Sequence, residues 1–166
     1  LAVEFAKAGY TVTGIDVSDE KTRSVNAGES YIADIDSATL AGLVNSGKLR
    51  ATTDFSAVLE LDTINICVPT PLRKTKDPDM SFIVSACQEI ATYFHPGTLV
   101  ILESTTYPGT TNEVVLPMLE KSGLEVGKDF FLCFSPERVD PGNPKFQTNN
   151  IPKVVGGTTP ACTEMG

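Results

Sequence analysis

The sequence lacks what several common functions need. It has one histidine, His95, and its four cysteines, Cys67, Cys87, Cys133 and Cys162, are widely spaced with no C-x-x-C pair, so no metal-ligand set is present. The same spacing argues against a disulfide framework and for free thiols in a reducing cytosol. No stretch reaches the roughly 18 uninterrupted apolar residues of a membrane span, and the N-terminus has no basic-then-apolar signal pattern. There is no Lys/Arg run either: 13 Lys+Arg against 21 Asp+Glu give a net charge of −8, which repels polyphosphate backbones at long range. Nucleic acid and anionic membranes are therefore excluded as main partners. A small anionic ligand held by a few local donors is not. The expectation is a soluble, cytoplasmic protein.

What is present is ordinary globular composition, with 166 residues of which 41% are hydrophobic and 7% aromatic. A chain of this length buries roughly two thirds of its unfolded surface in one domain without staples. Leu1, Val3, Phe5 and Ala6, followed by Gly9, read as the last turns of a helix closed by glycine. Because a native chain rarely starts in mid-helix, the sequence is expected to be truncated at its N-terminus.

Strand and helix patterns then alternate. Tyr10 to Asp16 is β-branched and suits a parallel strand, and Ser18 caps a helix running to Asn26 before Gly28. Asp36 and Ser37 offer a cap for Leu40 to Ser46, closed by Gly47. Leu49 to Thr53 reads as a weak strand, Asp54 to Leu59 as a short helix and Asp62 to Val68 as a clear strand. Asp79 is the expected N-cap of an amphipathic helix that stops at Pro96-Gly97. A strand at Thr98 to Ser104, a helix at Thr111 to Ser122 and a strand at Asp129 to Phe134 follow. Last come a strand at Pro152 to Val155, a loop at Gly156-Gly157 and a helix opened by Thr159-Pro160. Such alternation predicts a doubly wound α/β fold with a mostly parallel, Rossmann-like sheet.

In such sheets ligands bind beyond the carboxyl ends of the strands, which singles out four places. Asp16 closes the first strand, where a carboxylate would accept ribose hydroxyls and repel a 2′-phosphate; the alternative is a cap of the next helix. Val68-Pro69-Thr70-Pro71 follows the central strand with a stiffened backbone and one hydroxyl. Ser104, Thr105 and Thr106 place three hydroxyls before a turn and a helix start, suited to a water or a ligand oxygen or, alternatively, to capping. Glu137, Arg138 and Asp140 crowd charge into four residues beside a core strand, which is costly unless they meet a ligand or one another. A solvated loop with an Arg138–Asp140 pair is the alternative there. His95, at a helix end, is expected to act only on the helix dipole.

Taken together, Asp16 with Lys21, Cys67-Val-Pro-Thr-Pro-Leu72, Pro78-Asp-Met-Ser-Phe82, Glu103-Ser-Thr-Thr-Tyr-Pro-Gly-Thr-Thr111 and Phe134-Ser-Pro-Glu-Arg-Val-Asp-Pro-Gly-Asn143 resemble the UDP-glucose/GDP-mannose dehydrogenase family. The resemblance runs in order along nearly the whole chain. It implies an NAD-binding domain of an enzyme that oxidises the 6-hydroxyl of a UDP-sugar to a carboxylate, using two NAD and passing through an aldehyde and an enzyme thioester. The substrate it implies is UDP-N-acetylglucosamine or a close UDP-hexosamine, with UDP-N-acetylmannosamine and UDP-glucose as alternatives. Asp16 and Lys21 then bind the adenosine side of the cofactor, and Val68, Pro69, Thr70 and Pro71 lie under its nicotinamide half, with Ser104 and Thr105 beside them. Thr105 holds the catalytic water, Glu137 does the acid–base work, and Glu137, Arg138, Val139 and Asp140 line the sugar side.

The resemblance also implies what residues 1–166 do not contain: the phosphate-binding glycine turn, the thiol nucleophile, a central helix and a UDP-binding domain. None of the four cysteines matches the nucleophile, so this stretch alone is not expected to turn over, and a homodimer would form through the other regions. A non-catalytic dinucleotide-binding module is the alternative of another class.

Overall fold

A computed structural model describes residues 1–32, 34–74, 76–138 and 150–166. Among them the chain divides into two compact units, one of Leu1–Ala57 with Asn150, the other of 58–138 with 151–166.

The first unit runs α1 (Ala2–Lys7), β1 (Val12–Ile15), α2 (Asp19–Asn26), α3 (Ser37–Asn45) and β2 (Leu49–Thr52). β1 and β2 pair in parallel, from Val12↔Leu49 to Ile15↔Thr52. Parallel neighbours need a crossover, and α2 and α3 supply it. The local signals are those of the sequence. Ser18 accepts from the Lys21 N–H at 3.4 Å and Asp36 from the Thr39 N–H at 2.8 Å. α2 closes at Gly28 with φ +74°, where the Gly28 N–H bonds the Val25 carbonyl and the Glu29 N–H that of Ser24, both at 2.9 Å. Gly28 also admits α3, since a Cβ there would lie 2.6 Å from that of Ala41. Val3, Ala6, Leu40 and Leu49 form the core.

The second unit holds β3 (Thr63–Ile66), α4 (Ser81–Tyr93), β4 (Leu99–Leu102), α5 (Leu116–Leu119), β5 (Phe131–Phe134), β6 (Gly156–Gly157) and α6 (Pro160–Met165). α5 lies within a helical run from Thr111 to Ser122 that opens with a π turn and ends with a 3₁₀ turn. β3, β4 and β5 are parallel neighbours in sequence order, while β6 joins β5 antiparallel. Val100, Leu102, Ile83, Cys87 and Leu132 fill the core, and Phe94 meets Phe130 edge to face at 5.2 Å. No helix among the described residues is long and apolar enough to cross a membrane.

Two local expectations are corrected. The N-cap position of α4 is Met80, already helical at φ −82° and ψ −3°; Asp79 lies one residue outside, accepting from the Ser81 N–H at 3.0 Å and pairing with Arg73. The last strand is Gly156–Gly157 rather than Pro152 to Val155. The reason is close packing: a Cβ on Gly157 would overlap the backbone of Cys162 and Thr163 in α6, so the residue that pairs with β5 must lack a side chain.

Candidate active site

Parallel pairing sets the loops after β3, β4 and β5 level with one another. Ile66, Leu102 and Phe134 are register partners, so Cys67, Glu103 and Ser135 come one residue later and Pro69, Thr105 and Glu137 three residues later. The ladder continues past the strand ends. The Glu103 and Ser104 N–H groups donate to the Ile66 carbonyl at 2.9 and 3.1 Å, and the Ser135 N–H to Leu102 at 3.0 Å.

Ser104 is buried, and its hydroxyl donates to the Val68 carbonyl at 2.8 Å with that of Ile66 at 3.2 Å. Its proton is thus engaged in fixing the base of the loop that sequence places at the cofactor. Along that loop Val68 and Thr70 are half-buried, whereas Pro69 and Pro71 are exposed. The Asp79 N–H closes it on the Pro71 carbonyl at 2.8 Å, and the Arg73 guanidinium, 2.9 Å from Asp79, holds that carboxyl down to about 2. Thr105 stands exposed beyond β4, while Thr110 is buried and donates to the Tyr107 carbonyl at 2.8 Å, securing the turn that follows.

Three charged side chains meet where β4 and β5 end. The Glu103 carboxylate, with only 6% of its side chain exposed, meets the Lys153 ammonium at 2.6 Å. Burying a carboxylate is costly unless an opposite charge accompanies it, and Lys153 provides that charge. The same ammonium lies 3.7 Å from Glu137 Oε2, while Glu137 Oε1 accepts the Arg138 N–H at 2.6 Å. Lys153 has no role in the sequence reading; the signal that points to it is a single cation inside the apolar run Ile151-Pro-Lys-Val-Val155. Arg138 is exposed. Val139 and Asp140, and with them the Arg138–Asp140 pair of the alternative reading, lie outside the described residues.

Cys67 opens the loop after β3. It is exposed as a residue, yet the protein packed around its thiol dehydrates it and, with the Glu103 carboxylate, pushes it up to about 11. Burial pushes Cys87 up to about 12. Cys133 and Cys162 are buried between β5 and α6, where the Cys133 thiol donates to the Cys162 carbonyl at 2.9 Å. All four are free thiols. No group of three or more His, Cys, Asp or Glu residues among the described ones is placed to hold a metal ion. His95 bonds through Nδ1 to the Pro96 carbonyl at 2.9 Å.

In the first unit, Asp16 directly follows β1, with its side chain 35% exposed. Oδ1 accepts the Ser18 N–H at 2.9 Å and Oδ2 pairs with Lys21 at 3.2 Å. Ser18, not Asp16, caps α2. The carboxylate is therefore held in place at the strand end with acceptor capacity remaining, and the ammonium of Lys21 stands beside it.

Residues 1–166 match the "UDP-glucose/GDP-mannose dehydrogenase family, NAD binding domain". The chain belongs to this dehydrogenase family. It is 36% identical over 166 residues to UDP-N-acetyl-D-glucosamine 6-dehydrogenase of Pseudomonas aeruginosa, which covers 99% of this chain and 38% of that protein. The structure of a ternary complex of GDP-mannose dehydrogenase from Pseudomonas aeruginosa resembles it with a TM-score of 0.76 at 36% identity, over 84% of this chain and 33% of the other. The UDP-N-acetyl-mannosamine dehydrogenase Cap5O of Staphylococcus aureus gives a TM-score of 0.86 at 29% identity, over 99% and 39%. The chain thus spans about 38% of the length of the curated relative.

The mostly parallel, Rossmann-like fold expected from the sequence is the fold of this family's NAD-binding domain. Asp16 gives that cofactor a direct test. A carboxylate with accessible oxygens at the carboxyl end of a parallel strand fits a ribose diol, and a lysine within the same turn fits a neighbouring oxygen. The chain's residues suit NAD.

Proposed function

We propose that the full-length protein is an NAD-dependent nucleotide-sugar 6-dehydrogenase that oxidises UDP-N-acetylglucosamine, or a close UDP-hexosamine, to the corresponding uronate for polysaccharide biosynthesis. The reading is carried by Glu137, a carboxylate addressed by an ammonium and a backbone N–H at the carboxyl end of a strand in an NAD-binding domain. Bound NAD supplies the hydride acceptor. In this reading Asp16 accepts a ribose hydroxyl, Lys21 meets a neighbouring cofactor oxygen, and Val68, Pro69, Thr70 and Pro71 form the floor of the nicotinamide side, with Ser104 fixing the base of that floor. Thr105 holds a water by its hydroxyl, and Glu137 takes the proton which that water loses as it attacks the enzyme thioester. Arg138, Val139 and Asp140 belong to the sugar side.

Oxidising a primary alcohol to a carboxylate removes two hydrides and adds one oxygen from water. The full-length enzyme should therefore form two NADH per sugar and a uronate. Incubation with UDP-N-acetylglucosamine, UDP-N-acetylmannosamine, UDP-glucose or GDP-mannose and NAD, followed by product mass, tests this. Two NADH and a uronate from a UDP-hexosamine support the reading, while no NADH from any of the four points to a non-catalytic dinucleotide-binding module. UDP-N-acetylmannosamine is the second substrate, favoured by the 0.86 TM-score with the Staphylococcus aureus enzyme. A cytoplasmic homodimer, joined through regions outside residues 1–166, completes the proposal.

A further inference from the structure

The proposed function gives Lys153 no part, yet its geometry is specific. Four rotatable bonds normally leave a lysine ammonium free to wander, and here a buried carboxylate directly after β4 pins it at 2.6 Å. The pinned ammonium then faces Glu137 Oε2 at 3.7 Å, while a backbone N–H takes Oε1 at 2.6 Å. Each oxygen of the Glu137 carboxylate is thus addressed by a donor of fixed position. Charge points the same way. Without Lys153, Glu137 would face the Glu103 carboxylate across the ends of β4 and β5, and like charges at short range disfavour two ionised forms. Among the described residues, the Cys67 thiol after β3 and the Arg138 guanidinium after β5 also stand near the site.

We propose that Lys153 is a positioning residue of the dehydrogenase: anchored by Glu103, it orients Glu137 and shields it from the Glu103 charge. This rests on Glu137 being the acid–base carboxylate, through which Lys153 acts.

The test uses the full-length enzyme with UDP-N-acetylglucosamine and NAD. Glu103→Gln with Lys153→Met removes both charges together and leaves no buried ion alone, so folding is less at risk than with either change. This double variant should lower kcat by about tenfold or more with both KM values within about threefold, while Lys153→Arg should stay within about threefold of wild type. In a Glu137→Gln background the same double change should cost less than about twofold further, because residues that act as a unit are not additive. A merely structural pair would lower kcat equally in both backgrounds, and that result overturns the proposal. So does a double variant within about threefold of wild type. Should the double variant not fold, Glu103→Asp, which keeps both charges and draws the anchor of Lys153 back by one methylene, carries the same comparison. A Glu137→Gln enzyme with unchanged kcat would remove the underlying reading as well, which separates the two failures.

Discussion

Two ion pairs, one in each unit, show how differently the molecule builds its charged positions. Asp16 and Lys21 are five residues apart, 35% and 50% exposed, and joined at 3.2 Å across one strand-to-helix turn. Glu103 and Lys153 are fifty residues apart, 6% and 26% exposed, and joined at 2.6 Å across the ends of a sheet. The first is a local arrangement in water, which screens it, so its worth lies in geometry rather than stability. The second is imposed by tertiary structure on a dehydrated carboxylate, where loss of one partner leaves an uncompensated charge. The contrast separates an exposed local pair, the one proposed to meet the cofactor, from a buried pair that anchors its neighbours.

The contrast breaks most readily at the buried pair. Lys153→Met should destabilise the protein by about 3 to 5 kcal/mol, whereas Lys21→Met should cost less than about 1 kcal/mol. Denaturant melts of the two variants measure the gap, and equal losses would erase the distinction. Next in size is Gly28→Ala in the first unit. It forces a side chain into left-handed backbone at φ +74° and against Ala41, with an expected loss of roughly 2 to 4 kcal/mol by the same melts. Such a loss would show that the locally coded unit owes its stability to close helix packing, not to its exposed charges.

Smaller effects sharpen the functional side. Asp16→Ala in the full-length enzyme should reduce the preference for NAD over NADP by about tenfold, or 1.4 kcal/mol, in kcat/KM. An unchanged ratio would return Asp16 to a purely local role. Smallest is the pH response of the Arg73–Asp79 pair. The Asp79 carboxyl, held at about 2, lies below its usual unfolded value near 4, so its contribution is complete above about pH 4 and is lost as pH falls through about 2. Asp79→Asn should flatten that part of the acid stability curve.

The same division explains what could be read before folding. Ser18, Asp36, Gly28 and Gly47 act within a few residues of themselves, so helix ends in the first unit follow from the sequence. The order β3, β4, β5 follows too, because short crossovers place parallel strands side by side. Asp79 stands one residue before the N-cap position while bonding both the Ser81 N–H and Arg73, an arrangement the residue type alone does not distinguish from a cap. The Pro152 to Val155 stretch reads as a strand by β-branching, yet pairing went to the glycines that α6 could approach. The pairing of Lys153 carries no local signal for a related reason: its partners lie just past two strand ends, fifty and sixteen residues earlier, and no periodicity connects positions so far apart. Thr105 and Glu137 were legible as strand-end residues, and equal spacing beyond Leu102 and Phe134 makes them counterparts across the sheet.

The most direct measurement is the turnover of Glu137→Gln in the full-length enzyme. Glutamine keeps the shape and loses the base, and a positioned carboxylate is worth about 100- to 10,000-fold, or roughly 3 to 5 kcal/mol of barrier. The account predicts that kcat collapses by that factor, that the Kd for the nucleotide sugar is nearly unchanged, and that intact mass spectrometry shows a covalent enzyme–substrate adduct. A kcat within about threefold of wild type, less than about 1 kcal/mol, would contradict it and leave Glu137 an ordinary loop carboxylate beside a structural ion pair.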